Sequence, residues 1–242
     1  MSPETPWWQI AKAQSLERKA KQASTLSNVQ AGDAFLIVTE GRVTEPVYFE
    51  LLRSDLQGSA IQIRVVPGTH SASQYVIETA ARAAKNQLRK AKRGQLSIRE
   101  PAKFDHVWAV IDTDVAVRDG FWNEVETLAR SRNVKLAYST PCFEFWLLLH
   151  IRGFTTGPLL DGESAKRAVG QELKSNYSTN EKVARQALQT LIDKWPDAVG
   201  NGDKVREFHI SAATPLRANP STEVCALVRA LNDSVPEHQR KL

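Results

Sequence analysis

The sequence predicts an α/β protein whose core is a mostly parallel sheet flanked by helices, followed by a helical C-terminal extension. Strand-length apolar runs alternate with helical patterns four times between residues 34 and 150. This order is typical of parallel strands joined by right-handed crossovers. Beyond residue 152, glycines mark a loop and the later patterns are mainly helical. We therefore expect a flexible leader, a core, and an extension packed on that core, at residues 1–31, 32–152 and 153–242.

Four predicted strands alternate with helices in the core. The runs at residues 34–39 and 104–111 are continuously apolar, which is typical of strands covered by helices on both faces. The other two strands are predicted at residues 60–66 and 134–138. Apolar residues at helical spacing follow each strand. The corresponding helices are expected to start near Thr44, which can cap its own helix, near Ser71 or Ser73, and near Phe121 and Pro141.

The extension is predicted to contain three helices separated by loops. Helical patterns occupy residues 163–173 and 180–194. After these two patterns, Gly200 and Gly202 are expected to interrupt helical structure. A closing helix is predicted over residues 220–231, because short polar side chains at its start favour an N-terminal cap.

Positive charge is concentrated in one segment. The net charge is +5, yet residues 82–103 carry eight basic side chains and a single acidic one. Such a patch suits a polyanion, because neutralising phosphates releases condensed counterions. A solvated helix face explains the same charge equally well. If nucleic acid binds here, its backbone is expected to contact Lys85, Arg89, Lys90, Lys92 and Arg93.

Composition excludes several classes of protein. Apolar residues make up 42% and charged residues 24% of the chain, which is ordinary for a globular domain and unlike a disordered or fibrous one. The longest nearly apolar stretch, residues 143–151, is far shorter than the roughly 20 residues that span a bilayer. The first residues lack a secretory pattern, and two cysteines cannot form a disulfide framework. We therefore expect a cytoplasmic protein with no membrane partner.

Five carboxylates follow the ends of predicted strands, namely Glu40, Glu45, Asp112, Asp114 and Glu144. Ligands of open α/β sheets bind beyond the carboxyl ends of the strands, so these groups are expected to meet at one edge. A divalent cation would relieve their mutual repulsion, and oxygen ligands of this kind suit Mg²⁺ or Mn²⁺. Taken one at a time, each is more often a helix cap or an ordinary acid in a first helical turn.

Four stretches of the chain resemble the RloB family. They lie, in the order of the family's blocks, at residues 36–49, 104–114, 140–150 and 219–222. The resemblance implies a Toprim-like catalytic domain at residues 32–152. That fold is shared by topoisomerases, DnaG-type primases and overcoming-lysogenization-defect nucleases. It also implies a neighbouring ATPase partner, since RloB proteins are typically encoded beside one in prokaryotic restriction or anti-phage loci.

The matching positions imply a metal site for phosphoryl transfer. Glu40, Asp112 and Asp114 correspond to the catalytic acids, and Glu45 resembles the second acidic position of the nuclease branch. We expect Asp112 and Asp114 to hold Mg²⁺ or Mn²⁺, with Glu45 or Glu144 completing one or two sites. Glu40 is expected to act as general acid or base, or as a further ligand.

The loop after the first strand is expected to contact phosphate. Gly41 lacks a Cβ and would let a phosphate approach the backbone. Arg42 could contact a phosphate oxygen, because a guanidinium matches that geometry, although a solvent-exposed loop arginine is as good an interpretation. No tyrosine-bearing cleavage domain is evident, so direct hydrolysis by water is expected.

The sequence thus predicts a metal-dependent endonuclease that hydrolyses phosphodiester bonds as the effector of a prokaryotic anti-phage system. DNA is expected ahead of RNA as substrate, and the sequence leaves open whether the protein forms a homo-oligomer. The alternatives are a non-catalytic nucleic-acid-binding adaptor of the ATPase partner and an RNA-directed toxin nuclease acting on tRNA. A small-molecule phosphotransferase is disfavoured, because the sequence has neither of the usual glycine-rich phosphate loops.

Overall fold

A five-stranded sheet organises the part of the chain that the structure describes. The computed structural model describes residues 32–56, 61–67, 72–97, 100–157, 159, 161–177 and 180–242, and the predicted leader lies outside the described residues. Within them the strand order is β2-β1-β3-β4-β5. The strands are β1 (Ala34–Thr39), β2 (Gln62–Val66), β3 (His106–Asp112), β4 (Lys135–Thr140) and β5 (Ser221–Thr222). The predicted α/β class with a mostly parallel sheet is confirmed.

The register brings the ends of the central strands together. Strand β1 pairs in parallel with β2 and β3, and β3 pairs in parallel with β4. Thr39 lies opposite Val110, and Asp112 lies opposite Ser139. Among the described strands, only the short β5 runs antiparallel, against the end of β4. The loops that leave β1, β3 and β4 therefore start at the same edge, which we call the carboxyl edge.

Helices cover both faces of the sheet. In the described residues they are α1 (Thr44–Asp55), α2 (Ser73–Lys92), α3 (Asp114–Arg118), α4 (Trp122–Arg132), α5 (Glu144–Ile151), α6 (Gly162–Leu173), α7 (Glu181–Gln189), α8 (Trp195–Ser211) and α9 (Val224–Asp233). Leu36 and Val38 of β1 pack in the cluster that includes α2 and α4. Phe35 and Ile37 pack with α1, α5 and the later helices. Because both faces of β1 are buried, its sequence is a continuous apolar run.

The later helices pack on the earlier ones. Helices α6 and α8 contact α5, while α9 contacts β4 and α8. The expected interruption of helical structure at Gly200 and Gly202 is wrong, because α8 continues through both glycines. A Cβ added at Gly202 would lie 3.0 Å from Cβ of Cys225. This glycine therefore allows α8 and α9 to approach closely, although glycine lowers intrinsic helix propensity.

The last predicted helix begins later than expected. Ser221 and Thr222 pair with the end of β4, and helix α9 starts only at Val224. The hydroxyls of Ser139 and Thr222 are hydrogen-bonded at 2.8 Å, and the amide of Glu223 donates to the carbonyl of Tyr138. These bonds hold the backbone in an extended form, so the helix cannot start at Pro220.

The helices in the described part of the chain are all too short or too polar to cross a membrane.

Candidate active site at the carboxyl edge

The five carboxylates lie around the carboxyl edge. Glu40 directly follows β1, and Asp112 is the last residue of β3. Asp114 and Glu144 open α3 and α5, and Glu45 lies in the first turn of α1. Glu40 is close enough to Glu45 and Asp114 for charge repulsion, and Asp112 is repelled by Glu40, Glu45 and Glu144. The five carboxylates thus lie near the same edge of the sheet, and charge repulsion connects Asp112 with three of them and Glu40 with Asp114.

Glu40 bridges the ends of two neighbouring strands. Its backbone amide donates to the carbonyl of Val110 at 2.9 Å. Its carboxylate Oε2 accepts from the amide of Asp112 at 3.3 Å and from the Ser73 hydroxyl at 3.4 Å. These two hydrogen bonds lower the pKa of Glu40. Burial, which has the largest effect, and repulsion from Glu45 and Asp114 outweigh them and raise this pKa to about 8. The helix start at Ser73 thus helps to fix this carboxylate.

Asp112 is at the centre of the acidic group. Its Oδ1 accepts a hydrogen bond from the amide of Phe143 at 2.9 Å, which ties β3 to the start of α5. Burial raises the pKa of Asp112 well above its usual range, and the carboxylates of Glu45, Glu144 and Glu40 raise it further. A carboxylate surrounded in this way is costly to ionise without a cation.

Glu45 is folded back over Gly41. Its Oε1 accepts the Gly41 amide at 3.0 Å, and a Cβ added at Gly41 would overlap this carboxylate. The expectation that Gly41 makes room for a phosphate is not met, because Glu45 takes the space. Burial, followed by repulsion from Glu144, raises the pKa of Glu45 to about 7. Thr44 has no capping hydrogen bond to its helix, so that expectation is wrong.

Glu144 is buried beside groups that the sequence analysis did not identify. Its Oε1 accepts the Tyr177 hydroxyl at 3.0 Å, and both side chains are buried. Lys166 of α6 lies near Glu144. Burial lowers the pKa of Lys166, but the hydrogen bond to Glu163 and the charges of Glu144 and Glu163 outweigh burial, so the pKa of Lys166 is raised. Nothing in the local sequence marks Tyr177, since 33 residues separate it from Glu144.

Asp114 and Arg42 are exposed at the rim of the site. Oδ1 of Asp114 accepts a hydrogen bond from the amide of Val115 at 2.7 Å, so this side chain also pairs with a backbone amide in the first turn of its own helix. The other oxygen lies next to Gly162, where α6 begins. Arg42 is exposed in the loop between β1 and α1. Both side chains are accessible from solvent beside the buried acids.

The predicted basic residues are exposed but remote from the carboxylates. Lys85, Arg89, Lys90 and Lys92 lie in the second half of α2, and Arg93 follows its end. Helix α2 begins beside Glu40 and leads away from the carboxyl edge. At 1.5 Å per residue, these cations lie about 18 to 30 Å from Ser73 along the helix axis. The structure therefore brings Arg42, but not this patch, to the acidic site.

The five side chains suit a divalent cation in chemistry, but they are not arranged as a coordination sphere. All offer carboxylate oxygens, which Mg²⁺ and Mn²⁺ prefer. None of the ion pairs between described residues involves them. In the same part of the chain, no three His, Cys, Asp or Glu side chains are grouped so as to hold a metal. Coordination would therefore require the carboxylates to move closer to one another.

Protein stability should fall as pH rises when no divalent cation is present. The pKa values of Glu40 and Glu45 are about 8 and about 7, above the ordinary carboxyl value of 4.5. The native state therefore retains protons that the unfolded chain has released, and stability declines from about pH 4.5 to pH 8. Each pKa unit of difference between the folded and unfolded states corresponds to about 1.4 kcal/mol, so the two groups together set an upper limit of roughly 8 kcal/mol on this loss, which urea unfolding in EDTA would measure.

Glu45→Gln should make this decline smaller, because it removes one of the titrating groups and part of the repulsion on Glu40 and Asp112. Glu50→Gln on the same helix is the matched control, since Glu50 pairs with Arg185 away from the site. An equal decline in wild type and Glu45→Gln would contradict the assigned cause.

Comparison with known families gives one match over most of the chain. The family model described as RloB-like protein matches residues 35–231. No curated protein matches the chain, and no solved structure does. The matched range contains all five carboxylates and the basic half of α2.

Proposed function

Since the chain belongs to the family of RloB-like proteins, we propose that it is a metal-dependent endonuclease with a Toprim-like catalytic domain. In this proposal it hydrolyses phosphodiester bonds, in DNA ahead of RNA, as the effector of a prokaryotic anti-phage defence system. An ATPase partner would control it.

The meeting of carboxylates around Asp112 carries the proposal. Three of them, Asp112, Glu45 and Glu144, come from separate elements and repel one another, and none forms an ion pair with a described residue. Keeping such charges together costs stability unless a ligand compensates them. A divalent cation is the ligand that fits an all-carboxylate set.

Each residue has a distinct role in the proposed reaction. Asp112 and Asp114 would hold Mg²⁺ or Mn²⁺, with Glu45 and Glu144 completing the set. The bound cation would neutralise charge on the scissile phosphate and activate a water molecule. Glu40 would hold or release a proton at Oε2, where the Ser73 hydroxyl and the Asp112 amide keep it in place. Without a cation its pKa is about 8, and a bound cation would favour the ionised form that accepts a proton.

The remote basic patch favours a long substrate. Arg42 would contact the backbone at the acidic site, while the cations on the second half of α2 would contact it about 18 to 30 Å away. At about 3.4 Å per base pair, this separation corresponds to roughly 5 to 9 base pairs. A duplex could reach both regions, and its affinity would fall steeply with salt.

The adaptor function remains the second candidate, for one reason. The described carboxylates are not grouped to hold a metal without movement, as would be expected if the acids had lost their catalytic role. An adaptor would bind nucleic acid in a salt-sensitive way and form no product at any metal concentration.

Cleavage assays distinguish the candidates. We expect labelled DNA to be cut in the presence of Mg²⁺ or Mn²⁺ and to stay intact in EDTA. Glu40→Gln should slow cleavage by roughly 10²- to 10⁴-fold, as for the loss of a general acid or base. Glu124→Gln on the exposed side of α4 should not. Products from RNA but not DNA would indicate the toxin, and binding without products would indicate the adaptor.

A further inference from the structure

A cleft of about 550 Å³ lies along α6 and the turn that follows it. Three cations line it, namely Lys166, Arg167 and Lys174, together with one acid, Glu163. Lys166 pairs with Glu163 at 3.1 Å; the Glu163 side chain is largely exposed and that of Lys166 is partly buried. Among the described residues, neither Arg167 nor Lys174 forms an ion pair. The cleft therefore has a net positive charge with no internal partner for two of its cations.

The backbone of α6 shapes this cleft. Gly170 lies between the cations on the same helix face, so no side chain fills the centre. Lys174 adopts a left-handed conformation, and the amide of Ser175 returns to the carbonyl of Gly170 at 3.1 Å. A Cβ at Gly170 would lie 3.3 Å from the Ser175 carbonyl. The turn can thus close tightly against the helix and lead the chain to Tyr177.

The cleft is joined to the carboxylates at two points. Tyr177 lines the cleft, and its hydroxyl donates to Oε1 of Glu144 at 3.0 Å. At its other end, α6 begins with Gly162, which lies against Asp114 and accepts a weak hydrogen bond from Sγ of Cys142. One helix therefore extends from the rim of the acidic site into the positively charged cleft.

We propose that this cleft binds a backbone phosphate of the nucleic-acid strand, next to the scissile phosphate that the proposed function assigns to the carboxyl edge. The inference rests on the proposed function and adds to it a subsite supplied by α6. Two cations without partners favour a phosphate, because charge-assisted hydrogen bonds to guanidinium and ammonium groups are strong. The volume exceeds that of a bare phosphate and leaves room for an attached sugar. The contact would position the strand without reading its sequence.

The test is binding without metal. A fluorescent single-stranded DNA of about 20 nucleotides would be titrated in EDTA with wild type and with Arg167→Gln/Lys174→Gln, monitored by anisotropy. We expect the double variant to bind about tenfold more weakly. The dependence of log K on log salt should also become shallower, by about 0.7 for each phosphate that the variant no longer neutralises. Arg130→Gln/Lys204→Gln removes two exposed cations outside the cleft and should change affinity less than twofold.

Two further arms make the result specific. Arg167→Lys/Lys174→Arg should retain binding, because it conserves both charges. Oligonucleotides with and without a 5′-phosphate distinguish an internal phosphate from a terminal one. If the double variant binds only the 5′-phosphorylated oligonucleotide more weakly than wild type does, the cleft binds a terminal phosphate and the internal assignment is overturned. Equal binding by the cleft and control variants, or no binding by wild type, would overturn the inference.

The outcome can be separated from that of the nuclease proposal. If wild type binds but cuts nothing with any metal, while the cleft variant binds more weakly, the nuclease proposal fails and the phosphate site stands. If both proteins cut in Mn²⁺ and bind equally in EDTA, the cleft proposal fails and the nuclease proposal stands.

Discussion

Replacing Asp112 with asparagine is expected to reduce metal-dependent cleavage by at least about 10³-fold while making the protein more stable. Asp112 is partly buried near three other carboxylates, and its charge is opposed by all of them. Asparagine has nearly the same shape, and its Oδ1 can still accept the hydrogen bond from the amide of Phe143. Removal of this charge, which the neighbouring carboxylates oppose, should raise the free energy of unfolding by about 1 kcal/mol at pH 8.

The combination of opposite effects identifies a functional charge. A structural residue would lose stability and activity together, whereas here activity should fall as stability rises. Asp119→Asn is the control, because Asp119 is an exposed acid that pairs with Arg118 just beyond α3. Cleavage by Asp112→Asn at the wild-type rate, with the fold intact, would remove the central ligand from the proposed mechanism.

The sheet could be predicted because its signal is local. Strands buried on both faces need continuous apolar runs, and the helices between them repeat their apolar residues at helical spacing. Strand β5 has only two residues and is held by bonds from Thr222 and Glu223 to the distant end of β4. Intrinsic propensity predicts a break at Gly202, but the packing of this glycine against Cys225 decides the conformation. Pairings between distant segments leave no periodic pattern in the sequence.

The candidate site was predictable to a similar extent. Glu40 and Glu144 follow strands, Asp112 ends one, and the carboxyl ends of neighbouring parallel strands must meet at one edge. Tyr177 and Lys166 come from the later helical region, and their proximity to Glu144 depends on how α6 packs against α5. The distance of the basic patch from the acids also depends on the direction of α2. The proximity of Tyr177 and Lys166 to Glu144 and the distance of the basic patch therefore follow only from the tertiary structure.

Divalent cations should stabilise the protein strongly at pH 8. If about 10 mM Mg²⁺ or Mn²⁺ is near 100 times the dissociation constant, binding adds about 2.7 kcal/mol to the free energy of unfolding. For a chain of this size each kcal/mol corresponds to about 2–4 °C, so we expect the melting temperature to rise by roughly 5–10 °C. The cation would neutralise Asp112 and Glu45, whose burial raises their pKa values in its absence.

The rise should depend on pH and on the carboxylates. At pH 5.5 Glu40 and Glu45, with pKa values of about 8 and about 7, hold their protons, and protons must leave before a cation binds. The melting temperature should therefore rise much less at pH 5.5 than at pH 8. Sodium chloride at matched ionic strength is the control for simple screening of repulsion. An equal rise with sodium chloride, or an undiminished rise in Asp112→Asn, would contradict a bound cation, because general screening needs no ligand at the centre of the site.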